Sequence, residues 1–225
     1  FALGADHALN EQTVLGVAYS HVSTNVDSDN GNKTDVENDT LTAYGTWTEG
    51  HYFVDAGVSY GKGQNDSKRY IAGTTAKGSY DSNVLSASVI GGYSFKPSET
   101  VVIEPRVAAR YANVRMDGYD EKGSSAALST RSQRYEVGEL GAGVRLAGNL
   151  PMGAGSLQPE ATLMAYHDLM GDRVAQTSSY MLGGSAFTVT GASVARDSYE
   201  ASVGVNYQVS DFTVGASYTR QARSG

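Results

Sequence analysis

The chain has 225 residues, no cysteine and a formal net charge of −7. The missing thiols exclude a disulfide framework and a thiolate-held metal, and the acidic balance argues against nucleic acid as partner. No apolar run approaches the roughly 18 residues of a membrane helix, while glycine stands at 27 where average usage would give about 16.

Phe1, Leu3, Ala5 and His7 alternate with Ala2, Gly4, Asp6 and Ala8, which predicts a strand with two unlike faces. After a turn at Leu9-Asn10-Glu11, Leu15, Val17 and Tyr19 oppose Gly16, Ala18 and Ser20. Asn25 to Asp39 reads as a long polar loop. Leu41, Ala43, Gly45 and Trp47 then face away from Thr40, Thr42, Tyr44, Thr46 and Thr48, and Glu49-Gly50 is a tight turn. Tyr52, Val54, Ala56, Val58 and Tyr60 form the next apolar face, backed by Phe53, Asp55, Gly57 and Ser59.

Lys62 to Lys77 reads as a second long loop. Leu85, Ala87, Val89, Gly91, Tyr93 and Phe95 follow, then a turn at Lys96-Pro97-Ser98-Glu99. Val101, Ile103, Pro105, Val107, Ala109 and Tyr111 are backed by Glu104, Arg106 and Arg110. Asp117 to Ser129 is a third loop. Leu140, Ala142, Val144 and Leu146 share a face with which Tyr135 and Val137 are out of phase, so a bulge is expected there. After a turn at 151–155, Leu157, Pro159, Ala161, Leu163 and Ala165 repeat the pattern, with Glu160 behind. A fourth loop, about 169–184, leads through Phe187 and Val189 to the clearest hairpin. There Tyr199, Ala201, Val203, Val205, Tyr207 and Val209 alternate strictly with polar residues, and Phe212, Val214, Ala216 and Tyr218 answer them after a turn at Ser210-Asp211.

These are about ten antiparallel strands. A soluble lipocalin-like barrel and a membrane barrel share this alternation and differ in which face is dry. The connections separate the two, because they alternate short and long, as in an outer-membrane barrel with short periplasmic turns. The expected fold is an all-β, antiparallel, up-and-down transmembrane barrel forming a single domain over 1–225. Both chain ends fall on the long-loop side, so one strand before Phe1 and one after Gly225 are expected, giving about twelve.

Three stretches carry a family resemblance. They are F-A-L-G-A-D-H-A-L-N-E-Q-T-V-L-G-V-A-Y-S at 1–20, P-E-A-T-L-M-A-Y-H-D at 159–168 and F-T-V-T-G-A-S-V-A-R-D-S-Y-E-A-S-V-G-V-N-Y at 187–207. In order and spacing they resemble the translocator β-domain of autotransporters, the type V secretion proteins. The resemblance implies an outer-membrane barrel that supports export of an N-terminal passenger to the cell surface. It implies as partners outer-membrane lipid, the passenger and a pore helix of the same polypeptide, and the barrel-assembly machinery. The family's opening helix and its terminal strand with a C-terminal aromatic are not matched here.

Other motifs fail on context. Gly57-Val58-Ser59-Tyr60-Gly61 fits G-x-S-x-G but lies inside an alternating strand instead of a strand-turn-helix elbow. His167 and Asp168 are adjacent in a strand and point to opposite faces, so they form no dyad. Asp27, Asp29, Asp35, Glu37 and Asp39 lack calcium-loop spacing and read as a solvated loop. Three Asn-x-Ser/Thr triplets have no meaning on a bacterial barrel. Gly141-Ala142-Gly143 lacks the third glycine and following helix of a dinucleotide site.

The candidate constellation is the polar face itself: Asp6, Asp55, Glu104, Arg106, Arg110, Arg145 and Glu160. A charge facing lipid at mid-depth costs about 2–4 kcal/mol, so these seven are expected to line the lumen. There they would pair with one another or hold the pore helix or the passing chain. No enzyme activity, cofactor or metal is expected. The alternatives are a small porin or adhesin barrel without a passenger, and a barrel-borne hydrolase, for which no acid/base cluster is found.

Overall fold

The computed structural model describes residues 1–28, 31–71, 73–171, 175–191, 195–210 and 212–223. Alternation is realised as strands β1 (Ala2–Ala8), β2 (Thr13–Asp27), β3 (Lys33–Glu49), β4 (Tyr52–Ile71) and β5 (Thr74–Tyr93). They are followed by β6 (Phe95–Ser98), β7 (Val101–Met116), β8 (Tyr119–Asp120), β9 (Leu128–Thr130) and β10 (Gln133–Gly148). The chain ends with β11 (Leu150–Met152), β12 (Gly155–Asp168), β13 (Ala175–Tyr180), β14 (Phe187–Thr190), β15 (Asp197–Val209) and β16 (Phe212–Arg223).

Ten strands form one antiparallel path in the order β1-β2-β3-β4-β5-β7-β10-β12-β15-β16, with β6 and β11 pairing beside it. Each hairpin register places apolar opposite apolar, so one row runs Ala5, Val17, Ala43, Val58 and Ala87 across five strands. These side chains point away from the protein: Val17 is 56% exposed, Val58 49% and Val203 57%. The opposite face is concave. Arg110 of β7 reaches Tyr166 of β12 and, at 3.2 Å, Glu200 of β15, which side chains on a convex face could not do across intervening strands.

On β4 the apolar belt runs from Tyr52 to Tyr60. Eight steps of about 3.3 Å, tilted by about 40°, give about 20 Å of height, near the apolar band of an outer-membrane barrel. The sheet therefore has no closed apolar centre. Among the described residues only Phe53, Ala76, Ala108, Ala127, Met164 and Tyr166 are buried hydrophobics. On the inner face large side chains lie over glycines of the next strand. Tyr44 stands opposite Gly16, Phe53 opposite Gly92, Met164 opposite Gly143 and Tyr166 opposite Gly141.

Gly143 is the tightest of these positions. A Cβ there would run into the Leu163 carbonyl oxygen and stand 2.8 Å from the Met164 Cα. Backbone cannot swing aside as a side chain does, so Gly143→Ala is expected to cost about 1–3 kcal/mol. A fall in the urea midpoint of refolded barrel checks this, and an unchanged midpoint would show the sheet absorbs the methyl.

Five expectations need correction. Away from the hairpin tips, Asn25–Asp39 and Lys62–Lys77 are strand and not loop. β2 and β3 stay paired from Thr13↔Trp47 to Asp27↔Lys33, and β4 and β5 from Tyr52↔Tyr93 to Ile71↔Thr74. Polar side chains mark where the apolar belt ends, and the backbone ladder continues past it. The expected bulge at Tyr135 and Val137 is also missing, since β7 and β10 pair without a break from Gln133↔Met116 to Gly148↔Val101. Those two residues face inward in phase with Glu139, and Val137 lines an inner cavity.

The turn after β5 is shorter than expected, because 95–98 pairs with β7 and the chain reverses at Glu99-Thr100. Finally, Phe187 and Val189 do not lead into the wall. They sit on β14 of a second, four-stranded sheet ordered β14-β13-β9-β8, which the third and fourth long connections build together. At the last hairpin Ser210 takes a left-handed φ of 49°, as a two-residue turn requires. Asp211 and Asp29 lie outside the described residues.

Candidate functional site

The charged inner face is assembled by register. Glu104 of β7 stands opposite Arg145 of β10, and two residues along, Arg106 stands opposite Gly143. Glu160 of β12 is two residues from Thr162, the partner of Arg145, and so on the same face. The result is one chain of ion pairs. Arg106 Nη2 meets Glu104 Oε2 at 2.5 Å, Arg145 Nη1 meets the same oxygen at 3.1 Å, and Arg145 Nη2 meets Glu160 Oε2 at 2.7 Å. Ser94 donates to the other Glu104 oxygen at 2.9 Å. Glu104 is only 8% exposed. Charges so far out of water persist only when paired and hydrogen-bonded, which this set achieves for the carboxylate. Arg106 also covers the Phe53 ring, 5.1 Å from its centroid.

A second group lies one tier up. The Arg110 guanidinium stacks 3.8 Å above the Tyr166 ring centroid, hydrogen-bonds the Tyr166 hydroxyl and pairs with Glu200. Asp6 accepts a 3.1 Å hydrogen bond from the Tyr44 hydroxyl, whose ring crosses Gly16 to reach it. Asp55 and Arg110 line a cavity of about 630 Å³ together with Ser59, Ser86, Ser88 and Glu139.

Of the seven expected residues, Glu104, Arg106, Arg145 and Glu160 therefore meet in one network. Arg110, Asp6 and Asp55 share their face but join other groups or none. The candidate constellation left out Glu200, Tyr166, Glu139 and Asp168, which share this face. Glu200 was legible, because it alternates with Tyr199 and Ala201. Tyr166 was not, since an aromatic on the polar face has no signal of its own until Gly141 is seen beneath it.

The remaining candidates stay outside this face or outside chemistry. His167 points outward and meets Asp197 at 2.7 Å, whereas Asp168 points inward and accepts from the amides of Gly138, Met170 and Gly171. Ser59 sits inside β4 and its hydroxyl is 2.9 Å from that of Thr42. Asp27, Asp35 and Asp39 pair separately with Lys33, Lys68 and His21 along the strands, so their oxygens do not converge.

Known proteins share this arrangement. The model of the autotransporter β-domain family matches residues 1–219. Outer membrane protein A of Rickettsia rickettsii is 25% identical over a 246-residue alignment that covers 99% of this chain and 11% of that protein. The chain thus spans about a tenth of the length of that curated relative. Among solved structures, the translocator domain of autotransporter NalP from Neisseria meningitidis superposes with a TM-score of 0.76 at 18% identity, covering 98% of this chain and 72% of that one. The β-domain of the Bordetella autotransporter BrkA gives 0.64 at 16% identity, covering 98% and 82%. Both share the curled antiparallel sheet. With its apolar belt outside, its charges inside and the family match over nearly its whole length, the chain belongs to the autotransporter β-domain family of the bacterial outer membrane.

Proposed function

We propose that this domain is the translocator through which a passenger segment of the same polypeptide reaches the cell surface, and that the charged inner face lines its pore. The observation that carries the reading is the contrast between faces: Val203 is 57% exposed on the outer one, and Glu104 is 8% exposed on the inner one. Lipid accepts the first arrangement and a wet channel the second. The paired charges of β7, β10 and β12 would hold the wall in shape, while Asp6 and Asp55, which are more open, would meet a pore helix or the passing chain.

β1 and β16 do not pair with one another among the described residues. The reading has each take one further strand, which closes a twelve-stranded barrel. The barrel-assembly machinery would insert it. The role is transport, with no catalytic step assigned to the domain.

A tag on the passenger of the full-length protein tests the reading. External protease is expected to remove it from intact cells. A tag that stays periplasmic beside a folded, heat-modifiable barrel would end the proposal.

A further inference from the structure

Dense packing in this molecule is not confined to the wall, where Ser198 and Tyr166 are the most buried residues. Ala76 is 0% exposed, Ser178 3%, Thr130 4%, and Glu121 and Ala127 5% each. All of them lie above the apolar belt. β4 continues from Tyr60 to Ile71, about 36 Å along the strand at about 3.3 Å per residue. The β3–β5 hairpins thus stand as a tall fin on one side of the outer mouth.

The second sheet packs on the side of the fin that faces inward. Arg69 is in phase with Phe53 and Asp55 on β4, and Ala76, Gly78 and Tyr80 are in phase with Ser86 and Ser88 on β5, so all point to the concave side. Glu121 takes Arg69 in a fork, with Nε to Oε1 at 3.1 Å and Nη2 to Oε2 at 2.5 Å. The same guanidinium donates to the Ala126 carbonyl at 2.8 Å. Tyr119 stacks on Tyr80 with centroids 4.7 Å apart and planes at 17°, its ring crossing Gly78. Thr74 at the hairpin tip donates to Ser124 at 2.7 Å.

The chain that builds this sheet comes from two places. β8 and β9 follow β7, beside the fin. β13 and β14 belong to the connection between β12 and β15, four places along the wall from β4. Even so, Gln176, Phe187 and Val189 share a cleft with Lys33 and Thr34 of the fin. To do this the connection must cross the mouth.

We propose that the four-stranded sheet is a cap that closes the outer opening of the assembled barrel, clasped to the fin by Arg69–Glu121 and Tyr80–Tyr119. A bidentate guanidinium–carboxylate pair with one partner buried is among the strongest polar contacts available at a surface. An aromatic stack beside it adds contact area at small entropic cost. Both ends of the clasp are on this domain, so closure needs no passenger. The proposal goes beyond the translocation reading, because it concerns the barrel when nothing is passing.

The test is conductance of the full-length protein in planar bilayers. Thr74→Cys with Ser124→Cys replaces two hydroxyls already in contact, a spacing a disulfide can span, in a chain with no other cysteine. Added to Arg69→Ala, this pair is expected to give low conductance when oxidised and a several-fold rise on reduction. Lys68→Ala, which removes an outward cation paired with Asp35, is expected to conduct like the parent. Equal conductance before and after reduction would overturn the cap. Because surface delivery of a tag is read separately, the cap can fail while translocation stands.

Discussion

Ala56→Arg is expected to cost about 2–4 kcal/mol and to stop most of the protein from inserting, whereas Ser88→Arg is expected to be close to neutral. Ala56 is exposed in the middle of the belt on β4, between Gly45 and Val89 of the neighbouring strands. A guanidinium there must be desolvated among lipid chains or drag water inward. Ser88 is exposed on the opposite face and opens onto the cavity that also holds Asp55 and Glu139. The same added charge would find water and carboxylates there. Refolding of each variant into vesicles, scored by heat-modifiable migration and urea midpoint, separates the two. Similar losses at both positions would mean that neither face is wet, and the lumen reading would fall with them.

Glu104→Leu is expected to be the most damaging change on the inner face, at about 3 kcal/mol. Removing one partner of a buried pair leaves the other charge uncompensated, and such losses run about 3–5 kcal/mol. A partly wet wall sits at the low end. The loss falls unequally on the two arginines. Arg145 keeps Glu160 at 2.7 Å, but Glu104 is the acid that Arg106 meets. The double variant Glu104→Leu/Arg106→Leu is therefore expected to recover about 1 kcal/mol or more of the loss, since it removes the stranded charge as well. Urea titration of the two single variants and the double one measures the coupling. Simple additivity would show that Glu104 and Arg106 are not energetically coupled.

The two faces of every wall strand were legible from residue order, because a period of two is a local property of extended backbone. Tyr52 to Tyr60 read correctly as belt, and Glu104, Arg106, Arg145 and Glu160 read correctly as belonging to the opposite face. The extent of the strands was not legible. Asn25–Asp39 and Lys62–Lys77 have the composition of loops because neither of their faces meets lipid: one stands in water and the other packs against the second sheet, while their backbones remain in the ladder. The apparent bulge had a similar origin: Val137 is an apolar side chain that faces an inner cavity instead of lipid.

Which charges meet was decided by register and curl. Arg110 and Glu200 are 90 residues apart in sequence and come together only because the sheet bends across β10 and β12. The cap is the extreme case, with strands of two to six residues whose pairing is fixed by contacts with each other and with the fin. Short strands carry too little periodicity to announce themselves, and their stability is borrowed from distant partners. Local alternation thus determined which side chains face lipid, and only the curled sheet determined what the other side chains touch.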